Sequence, residues 1–172
     1  HVMEMQERRR DGIAWLRAGN DAWSRESFFA VHNWWHLALF HLEQEQLDEV
    51  LRLYDQSIGG PGSTEVLDMI DQSARLWRLR LRGVDVGERW QALAERWAPI
   101  AGAGNYAFND LHAMMAFVGA GRTRDQQAVL DAQRLAMQGS GDNVDFVGEV
   151  GHAAALALQA FGAGDYAACV QR

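Results

Sequence analysis

His32-Asn33-Trp34-Trp35-His36-Leu37-Ala38-Leu39-Phe40 returns in altered form as Phe108-Asn109-Asp110-Leu111-His112-Ala113-Met114-Met115-Ala116. Asn33 corresponds to Asn109 and His36 to His112, both at an offset of 76. Half of that offset is 38, close to the roughly 34-residue period of tetratricopeptide hairpins. A step of 38 carries Asn33 to Asp71 and His36 to Ala74, and a step of 40 carries Asn109 to Glu149 and His112 to His152. The apolar positions inside these blocks recur at helical spacing, so the repeated unit is built on a helix.

The second helices echo each other as well. Asp48-Glu49-Val50-Leu51-Arg52-Leu53 resembles Asp11-Gly12-Ile13-Ala14-Trp15-Leu16 at an offset of 37. Glycine-rich breaks at 59–62, 83, 121, 139–141 and 162–164 separate the apolar segments, and only Pro61 and Pro99 add further breakers. The pattern predicts an all-α fold: an α-solenoid of antiparallel, tetratricopeptide-like helical hairpins over 1–19, 26–58, 64–98, 105–138 and 143–172. Ser24 or Ser27 is the expected N-cap of the helix starting near Glu26, and Ser63 that of the helix ending near Arg82. Single helices are expected over about 106–120, 124–138 and 144–161. His1 to Glu7 reads as the end of a helix already under way, and Asp165 to Arg172 as one barely begun. The 172 residues are therefore expected to be one repeat domain cut from a longer array.

Composition narrows the function classes. The net charge of -7 opposes nucleic-acid binding, which needs a basic face for phosphates, and opposes adsorption to anionic membranes. Every basic side chain is arginine, which points to a GC-rich bacterial genome. One cysteine, Cys169, leaves no disulfide framework and no cysteine zinc site, so a reducing cytoplasm fits. No apolar run is long enough to span a bilayer, and no signal peptide is recognisable before the first helix.

Three blocks together resemble the tetratricopeptide repeat protein 38 family: His1-Val2-Met3-Glu4-Met5-Gln6, Phe28 through Leu42 with its His-Asn-Trp-Trp-His core, and Asn105 through Phe117. The likeness runs over nearly the whole chain. It implies an all-helical repeat fold and a parent protein longer than 172 residues. It implies no reaction and supplies no catalytic residues.

Four constellations are candidates for chemistry. His32 and His36, four apart, share a helix face and have a spacing that chelates transition metals, but a third ligand must come from another helix. With no such ligand visible, no metal or other cofactor is expected, and hydrogen bonding within packed helices is the simpler account, for His41 above all. The recurring pairs Asn33/His36, Asn109/His112 and Glu149/His152, with Asp71 in the intervening hairpin, would form a polar ladder along a concave groove if the first helices stack in register. Such a ladder suits a peptide, a protein segment or a polar small molecule, and it also offers acid–base groups. The alternative is that each side chain satisfies buried polarity between helices. Among the seven tryptophans, Trp15, Trp77 and Trp90 are expected in the core, while Trp35 flanks the ladder as an aromatic floor. Arg75, Arg78 and Arg82 form a helical stripe that reads as a solvated face or an anion contact.

The sequence therefore leads to an interaction scaffold with a groove-bound partner, with self-association possible. The alternative is an enzyme using groove His, Asn and Glu residues, with or without a metal.

Overall fold

A computed structural model of the chain describes residues 1–25, 27–60 and 62–172. Glu26, the expected helix start, and Pro61, in the expected break, lie outside them. The described residues are all-helical, with no strand among them. In order, the helices are α1 (Val2–Met5), α2 (Arg9–Ala18), α3 (Asn20–Trp23), α4 (Ala30–Glu43), α5 (Leu47–Leu53), α6 (Val66–Leu81), α7 (Arg89–Trp97), α8 (Ala107–Gly119), α9 (Thr123–Ala136), α10 (Asp142–Phe146), α11 (His152–Gly162) and α12 (Tyr166–Val170). None is long and apolar enough to cross a membrane.

Several boundaries differ from the sequence expectation, each for a local reason. α4 begins at Ala30 because Ser27 serves a turn ahead of the helix. Its Oγ accepts the Phe29 N–H at 3.3 Å and its carbonyl accepts that of Ala30 at 3.0 Å. Ser63 acts likewise, accepting the Glu65 N–H at 3.2 Å before α6 starts at Val66. The helix expected over 144–161 is α10 and α11 joined by a π-helical turn, Val147–Gly151. That wide turn sets Gly151 against Ala107, where a Cβ would lie 2.6 Å from the Ala107 methyl. α5 passes into a second π-helical turn, Tyr54–Ile58, whose Tyr54 carbonyl accepts the N–H groups of both Gly59 and Gly60.

One backbone feature repeats with more regularity than any side chain. Glu7, Glu45, Gly83 and Gly121 all take a left-handed conformation and lie 38 residues apart, with Gly164 following. After each, the next N–H reaches the carbonyl five residues back: Arg8 to Met3, Gln46 to His41, Val84 to Leu79, Arg122 to Phe117 and Asp165 to Ala160, at 2.8 to 3.0 Å. This is the Schellman closure, which satisfies carbonyls left open at a helix end. Gly83, Gly121 and Gly164 were legible as breaks. Glu7 and Glu45 were not, because glutamate gives no turn signal.

The chain divides into two compact units, 1–75 and 76–172. In the first, α4 packs against α2, α5 and the π turn after α5. Its core holds Leu16, Leu37, Leu42, Val50, Leu53 and Ile58, each no more than 5% exposed, and each such burial contributes about 2 kcal/mol. In the second, α8 packs against α7, α9 and α11, and α11 against α12, around Leu93, Trp97, Met114, Phe117, Val129 and Leu130.

Two side-chain expectations are corrected here. Trp77 and Trp90 are buried as expected, but Trp15 is 65% exposed. Its helix turns Gly12 and Leu16 inward and Trp15 away from the core. Arg75 is not on a solvated stripe but fully buried. Its Nη2 donates to the Trp35 carbonyl at 2.6 Å and its guanidinium lies 5.0 Å from the Trp35 ring centre.

Candidate functional site

The first unit brings three histidines and two carboxylates together. One helical turn of α4 carries His32 and His36 on the same face, and their Nε2 atoms lie 3.2 Å apart. α1 brings His1, whose Nε2 is 3.1 Å from that of His36. The three ring nitrogens all lie within 4.8 Å of one another. α6 supplies Asp71, whose carboxylate oxygens sit 3.0 and 3.2 Å from His32 Nδ1. Glu4 of α1 places Oε2 3.3 Å from the buried Nδ1 of His36.

These contacts set the ring protonation. A carboxylate accepts only, so His32 must present Nδ1–H to Asp71, which leaves the Nε2 lone pair of neutral His32 directed at the cluster. The Nδ1 of His36 makes no hydrogen bond among the described residues, so Glu4 does not fix its tautomer. The hydrogen bond to Asp71 raises the pKa of His32. Burial lowers that of His36 to about 4, so its ring stays neutral at pH 7. Trp35 lies parallel to His32 at 5.9 Å between ring centres, and the guanidinium of Arg75 lies over its ring. Trp35 and Arg75 thus brace the turn that holds the histidines.

The three histidines line a pocket of about 330 Å³. Asn33 joins the histidines on its polar side. Trp15, Leu16, Phe40, Val2 and Met3 supply an apolar wall. The exposure of Trp15 is explained by this position.

Of the residues singled out from sequence, His32, Asn33, Trp35, His36 and Asp71 meet here. Asp71 is the partner of His32. His1 and Glu4 were missed as site residues, since nothing in a segment read as a helix remnant signals that it folds onto α4. His41 is structural: its ring nitrogens face Gln46 Oε1 and, at 3.2 Å, Arg17 Nη2.

Asn109, His112, Glu149 and His152 all belong to the second unit, where their surroundings differ. His112 is buried, donates from Nδ1 to the Phe108 carbonyl at 2.8 Å and packs against the Phe108 ring. Glu149 is exposed on the π turn and Asn109 is half-buried. His152 Nδ1 lies 3.2 Å from Gln133 Oε1, and Gln133 Nε2 donates to Asp110 at 3.4 Å. Burial pushes the Asp110 carboxyl up to about 6 and the His152 imidazole down. Asp110, inside the repeated block itself, was passed over because its burial cannot be read from the sequence.

No known family profile matches the chain, and no solved structure matches it.

Proposed function

We propose that the chain is a helical-repeat recognition protein of the tetratricopeptide repeat protein 38 type, and that it binds a small polar molecule or a peptide segment in the His-lined pocket of its first unit. The observation that carries this reading is a pocket lined by three imidazoles, Asn33 and the exposed Trp15. Apolar walls with a few convergent polar groups, at this volume, are the usual form of a small-ligand site. The left-handed turns 38 residues apart support a solenoid of hairpins, as does the packing of α8 against both α9 and α11. Saturation-transfer NMR with 3-phenylpropionate and N-acetylphenylalanine amide tests the pocket. Transfer to the phenyl protons is expected, with loss in Trp15→Glu; no transfer, or transfer unchanged by Trp15→Glu, overturns the reading.

The second reading is an enzyme at the same place. The His32–Asp71 contact favours it, since a carboxylate-oriented imidazole is a competent general base. Hydrolysis of a simple aryl ester above the buffer rate, abolished by His32→Gln, would support it; equal rates in both proteins would exclude His32.

A further inference from the structure

The Nε2 atoms of His32 and His36 face each other at 3.2 Å, and that of His1 lies 3.1 Å from His36. A single imidazole nitrogen has one in-plane direction, carrying either a proton or a lone pair. The Nε2 of His36 cannot serve two imidazole partners well as a hydrogen-bonding atom. Asp71 draws the Nδ1 proton of His32, so the Nε2 lone pair of neutral His32 points at the Nε2 of His36. Three imidazole nitrogens converging this closely can share one cation.

We propose that His1, His32 and His36 hold one divalent transition-metal ion of the zinc class through their Nε2 atoms, with a fourth position facing the pocket. Tetrahedral ligands at about 2.0–2.1 Å from zinc lie roughly 3.3 Å from one another, and two of the three separations here are 3.1 and 3.2 Å. The carboxylate of Asp71 behind His32 is the outer-shell partner that fixes a metal-ligating histidine in orientation. Glu4 places Oε2 3.3 Å from His36 Nδ1. The ligands come from two elements far apart in sequence, α4 and the segment opening α1, which makes the site a product of the fold. Three protein ligands leave one position open, as in catalytic rather than structural zinc sites. That position would take water or an oxygen donor of whatever occupies the pocket, the apolar part resting on Trp15 and Phe40. Only this last statement rests on the proposed pocket function.

The test uses the 172-residue chain behind a short Gly-Ser leader, so that the α-amine of His1 cannot supply the binding. After dialysis against a chelator, the protein is titrated with Zn²⁺ alone by calorimetry and with Co²⁺ alone by visible absorption. One Zn²⁺ per chain is expected, with tetrahedral cobalt bands that Zn²⁺ bleaches. His1→Ala alters an exposed side chain, so its fold should persist, and its zinc affinity should fall at least about 100-fold. Asp71→Asn should lower affinity by about 10- to 100-fold. Circular dichroism shows that each variant is folded. No uptake by the parent chain overturns the proposal, as does parental affinity in folded His1→Ala. Metal-free protein that still gives transfer to 3-phenylpropionate keeps the pocket reading when the metal fails, so the two can be separated.

Discussion

Asp71 and His32 form a carboxylate–imidazole pair across 39 positions of sequence, 3.0 Å from Oδ2 to Nδ1, with the carboxylate buried and the ring half-exposed. The contact decides which nitrogen of His32 carries the proton, and so what the pocket meets. Asp71→Asn should release that choice. In nitrogen-15 spectra of the imidazoles at pH 8, the parent should show His32 with its proton on Nδ1. The variant should show mixed tautomers. An unchanged spectrum would mean that Asp71 does not set the tautomer.

Glu45 holds a left-handed backbone at φ 59°, a conformation that costs a residue with a Cβ about 1 kcal/mol relative to glycine. The equivalent turns 38 and 76 residues later use Gly83 and Gly121. Glu45→Gly should stabilise the protein by about 1 kcal/mol, and Gly121→Ala should destabilise it by a similar amount. Chemical denaturation of both variants checks the pair; opposite signs are the required result.

Close packing sets the sign of a third substitution. A Cβ on Gly119 would lie 2.2 Å from the buried Trp90 ring. Alanine gains up to about 1 kcal/mol of helix propensity, but forcing the indole aside costs about 1–3 kcal/mol. Gly119→Ala should therefore melt lower and alter the near-ultraviolet circular dichroism of tryptophan. A higher melting temperature would contradict the contact.

Asp110 gives a pH dependence. Burial raises its folded pKa to about 6 from the ordinary 3.8, so the folded state binds this proton more tightly than the unfolded chain. Stability from this group is fully present below about pH 4 and is lost as pH rises through about 6. Asp110→Asn removes the ionisation. The melting temperature of the variant relative to the parent should rise between pH 4 and pH 6.5 and then level off. A difference that is flat with pH would refute the shift.

Two tryptophans test the burial assignment. Trp97 is 1% exposed and Trp15 is 65% exposed. Trp97→Ala should cost about 3–5 kcal/mol. Trp15→Ala should change stability by less than about 0.5 kcal/mol and act only on pocket binding. Equal costs in denaturant would place Trp15 in the core after all.

The helical fold and its period were legible because they are written in local terms. Apolar spacing marks a helix wherever it occurs, and a block repeated at an offset of 76 is visible without knowing any contact. The reading of Gly83, Gly121 and Gly164 as breaks succeeded because only glycine enters the left-handed region without cost. It failed at Glu7 and Glu45, where the Schellman closure of the helix end holds glutamate in that region against its preference. The π turns were equally invisible, since the close approach of Gly151 to Ala107 at Val147–Gly151 joins residues far apart in sequence.

The site divides the same way. His32, Asn33 and His36 could be placed together from sequence because helical spacing fixes which side chains share a face. The role of Trp15, facing a pocket and not the core, depended on which side of α2 met α4. His1, Glu4 and Asp71 could not be joined to His32 and His36 by any rule of spacing. They converge only when α1 and α6 fold against α4. Local spacing alone fixes a repeated helical block, one copy of which sets His32 and His36 on one face. Tertiary structure alone brought a third imidazole and two carboxylates to them, because packing between helices distant in the chain leaves no periodic trace in the residues that meet.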